Sequence, residues 1–197
     1  MNTPEQSIYD KYSLEFSQKF NKVWVRTDKI KQAFSYFTEI ENLRVLEVWC
    51  GNWKDAKEIL RYSSHYIGLD YSEGMLKLAR EYLPEAEFIL EDIEEYETQE
   101  KFDIIFSFAS LVHLPKDNMK KILSKIYWML NGWWILMLLL RYGPEYTEEI
   151  ISDEFGERFF TLYNWEVIKS IIDWYDVDYE EVSEVNKRKW FMMILKK

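Results

Sequence analysis

The run from Leu43 to Ala56, Leu-Arg-Val-Leu-Glu-Val-Trp-Cys-Gly-Asn-Trp-Lys-Asp-Ala, constrains this chain more than any other stretch. Val45, Leu46 and Val48 form a short apolar run of buried-strand type, with Glu47 near its end. Gly51 falls in the turn that follows, and a helix start comes next. A strand, a glycine-bearing turn and a helix N-terminus make a cradle for a nucleotide-like ligand, because unpaired backbone N–H groups and a positive dipole end converge there. The rest of the chain reads as built around that turn.

Apolar residues at Ile8, Tyr12, Phe16 and Phe20 recur every four positions, which predicts a helix over 4–21 started by Thr3-Pro4. A second helix is predicted over 28–37, capped by Thr27 or Asp28, with Ile30, Phe34 and Phe37 on one face. Strands are expected at 43–48, 66–70, 87–90, 102–108 and 133–140. Helices are expected at 52–62, from Ser72 to Tyr82 and at 117–130. Alternating strands and helices argue for an α/β sandwich around a mainly parallel sheet. Residues 177–182 and 190–195, joined at Asn186-Lys187-Arg188, read as a closing antiparallel hairpin after a helix from Asn164 to about Asp173. The pattern breaks down over 141–163, a charged and aromatic stretch opened by Gly143-Pro144, which reads as a lid or insertion.

Composition narrows the partners. The net charge of -10 disfavours a nucleic acid, which needs a basic footprint. The run Trp133 to Leu140 is far short of the roughly 20 residues that span a bilayer, so no membrane segment is expected. The lone Cys50 cannot form an intrachain disulfide, and the N-terminus lacks a leader pattern; a reducing cytoplasm is expected.

In a parallel sheet the ligand sits outside the carboxyl ends of the strands. The second strand ends in Asp70, about twenty residues after the first, where a carboxylate can accept two ribose hydroxyls. The third is followed by Asp92-Ile93, an acid for an amino group and an apolar cover for a flat ring. The fourth ends at Phe108 and leads to His113-Leu114.

In this order and spacing the chain resembles the class I S-adenosylmethionine-dependent methyltransferases of the small-molecule type, with a single Rossmann-like domain. The resemblance rests on Glu47-Val-Trp-Cys-Gly-Asn-Trp, Gly68-Leu69-Asp70-Tyr71-Ser72, Asp92-Ile93, Phe102 to Phe108 with His113-Leu114, and Leu130-Asn-Gly-Trp-Trp. It implies a seven-stranded three-layer sandwich over 1–197: cap helices at 1–40, a cofactor-binding core at 43–140, a lid or insertion at 141–163 and a closing helix and hairpin at 164–197. It implies S-adenosyl-L-methionine as cofactor, a small-molecule methyl acceptor and no metal. Glu47, Trp49, Cys50 and Gly51 fall in its first motif, and Cys50 and Gly51 would lie against the methionine part. Asp70 would bind the ribose, with Tyr71 beside the adenosine and Met75 a turn later. Asp92 would take the adenine amino group, Ile93 would meet the ring, and Phe108 would lie near the methyl donor. Tyr9 and Tyr12 would close the site. His113 is the one nearby candidate for a catalytic base. Cys50, with no histidine partner in view, reads as a packing residue.

Trp49 and Trp53 depart from this pattern. The family has glycine there, because the chain turns sharply and the ligand approaches the backbone. Trp133 and Trp134 replace another glycine pair, and Trp174 stands where glycine is frequent before the sixth strand. Glycine is scarce, 6 of 197 residues against an average near 7%, and tryptophan is abundant at 9. Two explanations compete. In one, the chain is a catalytically inactive binding or regulatory relative whose methionine pocket the indoles crowd. In the other, UGA codons read as glycine have been written as tryptophan. A nicotinamide-dependent oxidoreductase shares the turn and the ribose acid, but not Asp92-Ile93 or the closing hairpin.

Overall fold

The computed structural model describes residues 3–23 and 26–197; the side chains of residues 20–23, Phe20 among them, lie outside the described set. Five strands alternate with helices: β1 (Val45–Val48), β2 (Tyr66–Asp70), β3 (Glu87–Leu90), β4 (Phe102–Phe108) and β5 (Leu130–Arg141). After a small two-stranded sheet, β6 (Thr147–Asp153) and β7 (Gly156–Leu162), the chain closes with β8 (Asp176–Val185) and β9 (Arg188–Lys196). The main sheet has the order β3-β2-β1-β4-β5-β9-β8, with β1 to β5 parallel and β9 antiparallel to both neighbours. This is the mainly parallel seven-stranded sheet that the alternation of elements predicts, and the strand order reverses between β1 and β4.

The central strands are buried on both faces, so they read as continuous apolar runs. Along β5, Ile135, Met137 and Leu139 face one core, while Leu136, Leu138 and Leu140 face the other. The first core is covered by α3 (Thr27–Phe34), α4 (Lys54–Ile59) and α5 (Glu73–Tyr82) through Ile30, Ile59, Leu76 and Ala79. The second is covered by α6 (Lys116–Met129) through Met119, Ile122, Leu123 and Ile126, and by the short α7 (Trp165–Lys169) through Ile168. No described helix is long and apolar enough to cross a membrane.

Four elements differ from their sequence expectation. The helix expected over 4–21 is two, α1 (Pro4–Lys11) and α2 (Ser13–Val23), because Tyr12 leaves helical geometry at φ -114°. That break lets α1 lie across the start of α5, where Asp10 Oδ1 accepts from Ser72 Oγ at 2.7 Å and from Gly74 N at 3.0 Å. The lid segment is a regular antiparallel hairpin, β6–β7, rather than irregular chain. The closing helix ends at Lys169, four residues short of Asp173. The final hairpin is longer than expected and turns on two residues, Asn186 (φ 51°) and Lys187 (φ 61°), the doubly left-handed geometry that matches strand twist.

Candidate functional site

At the carboxyl ends of β1, β2 and β4 lies a cavity of about 290 Å³. Its walls include Trp49, Cys50, Gly51, Asp70, Tyr71, Met75, Phe108 and His113. Eight of the eleven residues expected at the site therefore meet in one place. Glu47, Asp92 and Ile93 do not line it.

Asp70 is the electrostatic centre. It is 5% exposed, its Oδ2 accepts from Gly51 N at 2.7 Å, and its Oδ1 accepts from Ser72 N at 2.8 Å. Burial raises its pKa to about 6, against the pull of those two backbone N–H groups. One acceptor position per oxygen is thus taken, which leaves a lone pair on each. Gly51 adopts φ 62°, and a Cβ built on it would find only Met75 Cε, at 4.0 Å. Cys50 is buried, and burial pushes its thiol well above the ordinary range, so it is a packing group rather than a thiolate. Glu47 sits behind the cavity, 2% exposed, where it accepts from Tyr66 Oη at 2.7 Å. Burial first, then the nearby Asp55 charge, raise its pKa well above the usual carboxylate range.

Trp49 stands in the left-handed region at φ 50°. Its ring meets Tyr71 in a T-shaped contact at 4.9 Å and packs on the core cluster that includes Ile93. Burial raises the Asp92 pKa, and among the opposing influences is the indole N–H of Trp49, which nevertheless reaches no acceptor at hydrogen-bond geometry among the described residues. The indole therefore fills the space between Tyr71 and Asp92-Ile93. That is why Asp92 and Ile93 are cut off from the cavity. Trp53 behaves differently from expectation: it is no part of the cavity wall and stacks on Tyr82 at 4.8 Å. Of the two indoles at motif glycines, only Trp49 obstructs.

Of the opposite wall, Tyr9 and His113 were expected from the sequence and the rest were not. Arg158 and Phe160 come from β7, Tyr9 from α1, and Arg26, Lys19 and Arg188 from the surrounding segments. His113 follows β4 on a short 3-10 turn. Its Nδ1 lies 2.7 Å from the Phe159 carbonyl, which can only accept, so Nδ1 carries the proton. Its Nε2 then accepts from Tyr9 Oη at 3.0 Å. Burial lowers the His113 pKa to about 4. Arg158, 7% exposed, donates from Nη1 to Tyr9 Oη at 3.4 Å and from Nη2 to Asp153 Oδ2. The clue to Arg158 was a single cation flanked by aromatics in Phe155-Gly-Glu-Arg-Phe-Phe; nothing marked Asp10 or Asp153.

Residues 45–132 match the model of a methyltransferase domain family. Over 92 residues the chain is 35% identical to a malonyl-[acyl-carrier protein] O-methyltransferase of Ilyobacter polytropus, covering 44% of this chain and 34% of that protein. Over 69 residues it is 38% identical to a trans-aconitate 2-methyltransferase of an Acidovorax species, covering 34% of this chain and 27% of that one. The chain thus spans about a third of the length of the curated relatives it matches. Its fold is similar to that of a 1,6-didemethyltoxoflavin-N1-methyltransferase from Burkholderia thailandensis, crystallised with S-adenosylhomocysteine: TM-score 0.79, 11% identity, 100% of this chain and 91% of that one. With the glycine turn, the acid at the end of β2 and the strand order already in place, residues 45–132 of this chain are similar to methyltransferase domains.

Proposed function

We propose that this chain transfers a methyl group from S-adenosylmethionine to a small-molecule acid. The observation that carries the reading is Asp70, a buried carboxylate beside the Gly51 turn with one lone pair free on each oxygen, opening into the same cavity as Phe108 and the Arg158 wall. When bound, the cofactor supplies an electrophilic methyl on a sulfonium. Gly51 leaves the turn open to a close-lying ligand, and Asp70 accepts the ribose hydroxyls. Tyr71, Ile93 and Asp92 form the slot for a flat ring with an amino group, which the Trp49 indole must vacate. The chain's contribution is alignment of donor and acceptor in a shielded cavity. We read His113 as a positioning residue rather than a base, because its Nε2 is committed to Tyr9. Two matching relatives are named for acids, malonyl and trans-aconitate, which supports an acidic acceptor.

Calorimetric titration with S-adenosylhomocysteine tests this reading. Trp49→Gly is expected to bind it with micromolar affinity, and the chain as written at least tenfold more weakly. NAD is expected to bind neither. If neither form binds S-adenosylhomocysteine, the reading is wrong and the inactive alternative stands.

A further inference from the structure

The acceptor wall has a hydrogen-bond inventory that can be closed. The Phe159 carbonyl takes the His113 Nδ1 proton, and His113 Nε2 takes the Tyr9 hydroxyl proton. Tyr9 Oη receives Arg158 Nη1, and Asp153 receives Nη2. Arg158 Nε is buried and has no hydrogen-bond partner among the described residues. The guanidinium that carries it lies over the rings of Phe16 (4.9 Å), Phe160 (5.4 Å) and Tyr9 (5.8 Å), which hold its plane in place. Both Asp153 and Arg158 belong to the β6–β7 hairpin, and Phe159 N donates to Glu5 Oε1 at 3.0 Å, tying that hairpin to α1.

An arginine donor left unpaired in a cavity wall costs stability unless a ligand completes it. We propose that Arg158 is the docking point for the acceptor's carboxylate, which accepts from the guanidinium N–H groups that Tyr9 and Asp153 leave free. The inference rests on the methyl-transfer reading and adds the residue that holds the acceptor's acid group. The charge count favours a carboxylate over a phosphate: Asp153 already neutralises part of the guanidinium, so the charge that is left suits a monoanionic group better than a dianionic one. His113 offers no free base, since its Nε2 is engaged. A carboxylate needs none. It enters ionised, its charge cancels that of the sulfonium on methylation, and no proton is released.

The test uses the full chain with malonate as probe, and with malonamide and inorganic phosphate as controls. Malonate binding measured by calorimetry is expected to weaken tenfold or more in Arg158→Gln, the usual scale for loss of a charge-assisted hydrogen bond, and to return in part in Arg158→Lys. S-adenosylhomocysteine binding by Trp49→Gly is expected to stay within twofold when Arg158→Gln is added. In the unaltered chain the Arg158 Nε–H resonance, identified by its loss in Arg158→Lys, is expected to shift on adding malonate. An unmoved resonance, equal malonate affinity in Arg158→Gln, or phosphate or malonamide binding as tightly as malonate overturns the proposal. Malonate binding through Arg158 without any S-adenosylhomocysteine binding would sink the methyltransferase reading and leave the carboxylate site standing.

Discussion

Two tryptophans carry backbone conformations that belong to glycine. Trp49 and Trp133 have φ of 50° and 69°, where a Cβ crowds the adjacent carbonyl and costs an L-residue about 1–2 kcal/mol. Trp133 has no compensating burial, at 87% exposed. Trp133→Gly is therefore expected to raise Tm by about 2–4 °C, the scale for ~1 kcal/mol in a chain of this size. The decoding explanation adds that the codon at 133 is UGA, as at 49, while Trp190 is UGG; UGG at both 49 and 133 would refute it. Trp53, at φ -70°, and Trp134 and Trp174, outside the left-handed region, give no backbone reason for glycine. Asp70 makes a second case. Its pKa rises from the ordinary 3.8 to about 6 on burial, so the folded state holds its proton more tightly than the unfolded one. Its contribution to stability is present below pH 4 and is lost as pH rises through 6, by up to ~3 kcal/mol. Thermal scans of Asp70→Asn are expected to match the parent near pH 4 and to exceed it above pH 6. The same variant is expected to lose cofactor affinity, because under the proposed function the Asp70 carboxylate accepts the ribose hydroxyls.

Among the elements, α1 decides whether the site is closed. It bridges the hairpin β6–β7 and the start of α5, and its docking depends on the lack of a side chain at Gly74. A Cβ there would lie 2.6 Å from the Asp10 carbonyl oxygen, a backbone atom that cannot turn aside. Gly74→Ala is expected to lift α1 from α5 and to cost about 1–3 kcal/mol, the range for overpacking. Limited proteolysis is expected to cut within 3–23 first, with Tyr9 carried away from His113 and malonate binding weakened. Unchanged proteolysis and Tm would show that α1 docks without needing this approach. The sequence marked both partners of the contact, one as a helical stripe and the other as a helix cap at Ser72. It could not mark their meeting, because Asp10 and Gly74 are 64 residues apart and neither belongs to a motif.

For the molecule as a whole, a net charge of -10 coexists with a cavity that gathers Lys19, Arg26, Lys54, Arg158 and Arg188. Composition disfavoured a nucleic-acid partner and was silent about this local gathering, since the five cations come from five separate segments. The central strands of the main sheet were legible because burial on both faces writes itself as unbroken apolar runs, and Asp70 because it ends such a run. The β6–β7 hairpin was not, because its alternating charged and apolar residues read as surface loop until a partner strand is supplied. By itself the sequence determined the sheet, the glycine turn, and the acids at 47, 70 and 92, all of them local patterns set by strand burial and turn geometry. Only the tertiary structure decided that Trp49 packs against Tyr71 in the cavity wall, that Trp53 stands aside, and that Arg158, Tyr9 and His113 form one wall. Those outcomes depend on which distant side chains meet across the cavity, and long-range packing leaves no periodic trace along the chain.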